Sequence, residues 1–223
     1  MTLILYIPCD NGCILLSDRQ NTYPDAQKSE VTKIHVQGEL GPAIGCSGGT
    51  DIIRSLYTRI MDTWETNDGN VRGRIKDCYE KVLEDARKTL RHVGTIFDPD
   101  LEMLGVEVAE GQLKPFRINV LLDIGLNANR ISAVPEGIPE VQRYLAVNTG
   151  HLCEGQAILL GEEILRQVSF SNYKVGAPEY HGYDYVRISA EGKFTVEYQE
   201  GSLQRLELSE VLRRVKIEGE KAA

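Results

Sequence analysis

The chain has 223 residues, 42% of them hydrophobic, and a net charge of −8. That length suits one domain, residues 1–223, with a sizeable core. The acidic balance argues against a general nucleic-acid or anionic-membrane partner, and no apolar run approaches the roughly 18 residues of a membrane span.

No basic leader with a long apolar region precedes the first strand, so no signal peptide is expected. Five cysteines (Cys9, Cys13, Cys46, Cys78 and Cys153) form no CxxC pair. They suit free thiols in a reducing cytoplasm better than a disulfide framework or zinc site. Cys9 and Cys13 flank a turn and are expected to pack.

Thr2–Ile7 is a continuous apolar run, as in a strand buried on both faces. Asp10-Asn11-Gly12 tolerates positive φ and predicts a tight hairpin, with Cys13–Leu16 as the returning strand. Val31–Val36 reads as a third strand and Pro42–Ser47 as a fourth. Gly48-Gly49-Thr50-Asp51 then carries capping residues for a helix. That helix presents Ile52, Ile53, Leu56, Tyr57, Ile60, Met61 and Trp64 on one stripe. A second helix runs from Ile75 through Tyr79, Val82 and Leu83 to Val93.

Leu101–Val108 and Phe116–Leu122 return to strand character. The segment 123–141 has two prolines and two glycines and little periodicity, so it reads as an inserted excursion. Tyr144–Val147 is a short expected strand and Leu152–Val168 an amphipathic helix. Asp184–Ser189 and Phe194–Tyr198 pair around Glu191-Gly192. Leu206–Val215 reads as a last helix, and 216–223 as a charged tail. Helices come in blocks, which disfavours βαβ winding. Two antiparallel sheets with helices outside fit this order, an α+β fold.

Thr2 has chemistry available to it. Aminopeptidase removal of Met1, favoured by a small second residue, gives Thr2 a free α-amine beside its own hydroxyl. Such an amine, with a reference pKa of roughly 7.7–8.0, can act as the hydroxyl's base without His or Asp. A terminus held by a strand also orients the hydroxyl. Asp18 closes the second strand, and Lys33 sits inside the expected third. A lysine turned inward beside Thr2 would lower the proton affinity of amine and hydroxyl, with Asp18 orienting it. Read alone, Asp18 is equally a turn carboxylate and Lys33 a solvent-facing side chain.

Their joint placement resembles the proteasome β-subunit and its bacterial relative, the peptidase partner of an ATP-driven unfoldase. These are N-terminal-nucleophile (Ntn) hydrolases. Members start on a catalytic threonine, and an aspartate ends the second strand about sixteen residues later, as Asp18 follows Thr2 here. A lysine follows in the third strand. Lys33 falls one residue short, which implies a deletion in the Gln20–Glu30 loop.

Ala43-Ile44-Gly45-Cys46-Ser47-Gly48-Gly49-Thr50 resembles the family's turn into a helix. Gly45 is the matching oxyanion-hole position, whose N–H stabilises the transition state. Ala146-Val147-Asn148-Thr149-Gly150 resembles the loop holding a supporting serine, with Thr149 in the serine's place. Gly182–Ile188 resembles the last long strand. The late aspartate-x-x-serine-glycine has no clean match, although Glu179 and His181 lie nearby. The resemblance implies a four-layer αββα sandwich and Thr2, Asp18, Lys33, Gly45 and Thr149 as catalytic residues.

The absent propeptide, the start MTLILYIPCDNGCILLSDRQ and the added middle segment are most similar to connectase, a branch from methanogenic archaea. That resemblance implies a cytoplasmic transpeptidase or protein ligase. It would acylate Thr2 at the Asp of a Lys-Asp-Pro-Gly-Ala-like motif, in a protein substrate such as a methyltransferase subunit. The acyl group would then pass to a Pro-led amine, with residues Pro135 to Pro139 as a wall excluding water. The alternatives are a ring-forming threonine endopeptidase and a non-catalytic assembly subunit. No cofactor or metal is implied, since His35, His92, His151 and His181 show no ligand spacing. Oligomeric state stays open.

Overall fold

The computed structural model describes residues 2–22, 28–37, 42–63, 71–92, 101–119, 123–135, 137–145 and 147–199. The helix expected over Leu206–Val215, the tail 216–223, Trp64 and Val93 lie outside them.

The chain folds as α+β, with two five-stranded antiparallel sheets, a two-stranded ribbon and helices. The first hairpin joins β1 (Ile4–Cys9) to β2 (Gly12–Asp18). Gly12 has φ +146°, and a Cβ there would meet the Ile188 carbonyl oxygen at 2.0 Å. Only glycine satisfies both demands. The ribbon is β3 (Gln20–Thr22) with β4 (Lys28–Glu30). Then follow β5 (Ile34–Val36), β6 (Ala43–Gly48), α1 (Thr50–Asp62) and α2 (Val71–His92).

The second half holds β7 (Leu101–Ala109), β8 (Gln112–Ile118), β9 (Asp123–Gly125), β10 (Ser132–Val134) and α3 (Pro139–Gln142). Further along the described residues come α4 (Glu154–Ser171), α5 (Pro178–His181), β11 (Tyr183–Ser189) and β12 (Phe194–Gln199). One sheet runs β10-β1-β2-β11-β12 and the other β5-β6-β7-β8-β9.

The apolar run at the start is explained by two cores. Leu3, Leu5 and Ile7 join Ile158, Leu160, Ile164 and Leu165 of α4. Ile4 and Tyr6 alternate to the opposite face and join Ile34, Leu104 and Val106 of the other sheet. A strand covered on both faces has no polar side to show. A third core seats α1 and α2 on the second sheet through Leu56, Ile60, Tyr79, Met103 and Phe116.

Four sequence expectations need correction. Val31–Lys33 is not strand, and β5 begins only at Ile34. The Val31 N–H is spent on the Arg19 carbonyl and the Lys33 carbonyl accepts from the Tyr57 hydroxyl, so no ladder forms there. In place of the expected strand Tyr144–Val147, Tyr144 and Leu145 lie in a turn and the Val147 N–H closes back on the Tyr144 carbonyl; Ala146 lies outside the described residues. The excursion 123–141 contains two short strands that no sequence period indicates. Its β9 pairs with β8 in one sheet and its β10 with β1 in the other. Finally, the ribbon β3–β4 and helix α5 carried no periodic signal and were not anticipated.

Candidate active site

Thr2 precedes β1 and is 7% exposed. Its backbone N–H donates to Ser47 Oγ at 3.4 Å. The next residue is held more tightly: the Leu3 N–H donates to Asp18 Oδ1 at 2.9 Å. Asp18 ends β2 and is wholly buried. Its Oδ2 accepts from Lys33 Nζ at 2.8 Å, from the Gln20 N–H at 3.1 Å and from the Gly176 N–H at 3.1 Å. One carboxylate thus ties the residue after Thr2, the end of β2, the approach to β5 and the loop after α4 to a single point. A buried carboxylate is tolerated only when hydrogen-bonded and paired in this way.

Lys33 is buried, and its ammonium also donates to the Gln20 carbonyl at 2.5 Å. Burial lowers its pKa below the usual lysine range, and the Asp18 carboxylate opposes that shift. The Lys33 side-chain nitrogen thus lies within the protein interior, one carboxylate away from the Leu3 amide. Asp184 of β11 stands nearby. Its Oδ1 lies 3.4 Å from Arg19, and its charge also acts on Lys33.

The other sequence candidates do not converge on Thr2. Gly45 lies within β6, paired with Ile34 on one side and Leu104 on the other. A Cβ there would sit 2.7 Å from Ile4 Cγ2. Gly45 therefore marks a close approach of the two sheets. The end of β6 reaches Thr2 instead, through Ser47. There Gly48 has φ +151° and Gly49 caps α1 without a side chain.

Thr149 has a different described partner. Its hydroxyl donates to the Pro8 carbonyl at 2.8 Å. Pro8 stands six residues along the chain from Thr2, roughly 20 Å at strand rise. Thr149 ties a loop to the far end of β1. Glu179 bonds Arg166, and His181 Nδ1 lies 3.7 Å from Glu30 Oε1. Neither has a described contact with Thr2. The late segment contributes through the Gly176 N–H, and through the Tyr173 carbonyl, which accepts from Gln20 Nε2 at 2.7 Å. No side-chain pattern advertises backbone groups of this kind.

Pro135 of the expected wall does come near. β1 pairs with β10 as Ile4 with Val134, and that register carries Pro135 alongside Leu3.

With this geometry established, comparison with solved structures identifies the architecture. A structure described as the helical assembly of the Anbu complex from Pseudomonas aeruginosa matches with TM-score 0.71 at 13% identity. It covers 96% of this chain and 92% of its own. The chain shares its fold with Anbu. Anbu, described as an ancestral beta-subunit, from Yersinia bercovieri gives TM-score 0.65 at 16% identity over 99% and 94% of the two chains. A Gly-1 mutant of Anbu from Hyphomicrobium sp. strain MC1 gives 0.64 at 15% over 100% and 97%. No family model matches the chain, and no curated protein does.

These findings correct the connectase assignment. The structural neighbours are Anbu, a proteasome-like family distinct from connectases, and nothing supports an archaeal ligase. A long excursion and a Met-Thr start are weak markers of branch. The excursion holds two short strands and the start of a short helix, and a two-residue start has little information.

Among the described residues, no helix is long and apolar enough to cross a membrane.

Proposed function

We propose that the chain is a proteasome-type N-terminal-threonine hydrolase acting on a peptide or amide carbonyl, in an αββα sandwich formed by its three stacked cores. The observation that supports this most is the Lys33–Asp18 pair bonded to the backbone beside Thr2.

In this reading, the chain is cleaved ahead of Thr2. The freed α-amine takes the proton from Thr2 Oγ as the oxygen attacks the carbonyl. Ser47 Oγ, already within reach of the Thr2 nitrogen, orients that amine. The Lys33 ammonium lowers the proton affinity of both groups at neutral pH. In this reading backbone N–H groups of β6 before its turn into α1, that of Gly45 among them, serve the developing oxyanion. Donors of that kind contribute about 3–4 kcal/mol each at the transition state. The carbonyl carbon becomes an ester on Thr2 Oγ, the amine leaving group departs with a proton, and water then hydrolyses the ester.

Intact-mass analysis of the purified chain with a β-lactone acylating reagent tests the reading. The expected result is removal of everything preceding Thr2 and one stoichiometric ester on Thr2, absent from Thr2→Ala. A mature chain with Thr2 blocked, or labelling that survives Thr2→Ala, removes the proposal. Adding a peptide amine to the acylated protein measures in the same experiment whether the acyl group goes to water or to an amine. Self-association is a further part of this reading, suggested by the assembly described for the Pseudomonas aeruginosa protein. A single-chain mass by light scattering would remove that part.

A further inference from the structure

We propose that Asp184 is a positioning residue for the Lys33 ammonium, a second carboxylate that sets the charge balance at Thr2 without touching a substrate. The proposal rests on the N-terminal-threonine reading above.

The strand register places Asp184. On β2, Ser17 pairs with Ile4 of β1 on one side and with Asp184 of β11 on the other. Residues directly opposite share a face, so Asp184 stands in the same row as Ile4, facing the second sheet. Asp18 is one residue further along β2, and its side chain leaves by the other face. The two carboxylates therefore flank the chain at Lys33 from different sides. Asp18 takes the ammonium. Asp184 faces the Lys33 backbone N–H and the Thr32 hydroxyl.

Asp184 is 3% exposed, and its position is not one that structure alone would fill with a charge. Its Oδ1 faces Arg19, but Oδ2 is sealed from solvent with no hydrogen-bond partner among the described residues. The hydroxyl of Ser17, directly across the strand, is also buried without a partner. An asparagine could accept from Thr32 and the Lys33 N–H with the same shape, and it would avoid burying a carboxylate. What it could not supply is negative charge. Burial pushes the Asp184 carboxyl above its usual range, with Arg19 the largest opposing influence. On Lys33, both carboxylates favour the charged ammonium against burial. The groups facing the Lys33 region are Asp18 and Arg19 from the end of β2, Asp184 from β11, and the Tyr57 hydroxyl of α1 on the Lys33 carbonyl. Two anions and two cations balance there, and removing any one tips the field felt at Thr2.

The experiment follows the rate of Thr2 acylation by a β-lactone across pH, by intact mass, for the full chain and for Asp184→Asn, Arg19→Gln and Thr2→Ala. Asp184→Asn should slow acylation at saturating reagent about tenfold, the equivalent of one pK unit at Lys33, with little change in the half-saturating concentration. Both limbs of its pH profile should move to lower pH, because loss of an anion lowers the proton affinity of the Lys33 and Thr2 amines. Arg19→Gln should move both limbs the opposite way, a reversal that a packing defect does not produce. Normal labelling of the wild-type protein with unmoved profiles in both variants would overturn the role of Asp184 alone. Absence of Thr2 labelling in the wild type would overturn the parent reading, and this one with it. If Asp184→Asn does not fold, Arg19→Gln decides by itself, and an unmoved profile there counts against the proposal.

Discussion

Lys33 Nζ lies 2.8 Å from Asp18 Oδ2, while the other oxygen of that carboxylate holds the Leu3 N–H at 2.9 Å. The pair joins two tasks that are usually separate. It fixes the backbone next to Thr2, and it places a cation in the protein interior close to the same residue. A substitution at either member of the pair therefore disturbs both tasks at once.

Lys33→Met should therefore damage both. Removing one partner of a buried ion pair typically costs about 3–5 kcal/mol, because the remaining charge is left uncompensated. Urea denaturation should show that loss, and β-lactone labelling at Thr2 should fall below detection. The double variant Lys33→Met with Asp18→Asn should be more stable than Lys33→Met alone, since the orphaned carboxylate has gone. Labelling should not recover. A double variant no more stable than the single one would show that the pair is not coupled.

Gly45→Ala tests the sheet contact. Its new methyl would meet Ile4 Cγ2 at 2.7 Å, closer than packed atoms allow. Overpacking of that sort costs about 1–3 kcal/mol. Ile4 is two residues from Thr2, so the displacement should also reduce acylation at Thr2. Full acylation with lowered stability would confine Gly45 to packing.

Thr149→Val makes the opposite forecast. The Pro8 carbonyl would lose its buried donor, at a cost of about 1–3 kcal/mol. The Thr2 acylation rate and its pH profile should stay as in the wild type. A collapse of acylation in a folded variant would return Thr149 to the catalytic set.

Stability should depend on pH through Asp184. Its folded pKa is raised above the ordinary 3.8. The folded state therefore binds more protons than the unfolded chain between those two values. The sign follows from linkage: the carboxyl's favourable contribution is fully present below 3.8 and is lost as pH rises through the folded pKa. Urea midpoints of Asp184→Asn should lack this decline while the wild type shows it. Parallel curves for the two proteins would contradict the shift.

Much of the architecture was legible because hydrophobic period and turn chemistry agree over long stretches. The β1–β2 hairpin around Asp10-Asn11-Gly12 and the β11–β12 hairpin around Glu191-Gly192 both appear where the turn residues put them. The helices α1, α2 and α4 follow their apolar stripes. Short pieces escaped. The strands β3, β4, β9 and β10 have three residues each, too few for a period to register. At the site, Asp18 and Lys33 could be read as a pair because charged residues inside apolar runs stand out. Ser47 and the Gly176 N–H could not, since a hydroxyl or an amide meets its partner only after the chain has folded. Thr149 is alike in this: that its hydroxyl meets a strand carbonyl toward the far end of β1 emerges only from the folded chain.

The anchoring of Leu3 has a bearing on how such a protein would be switched on. The core is complete from that residue onward, with its N–H fastened and its side chain packed against α4. Cutting the peptide bond ahead of Thr2 would then require no refolding and would release no strand. From Leu3 onward precursor and mature protein would be superimposable, and the gain at the site would be one new amine.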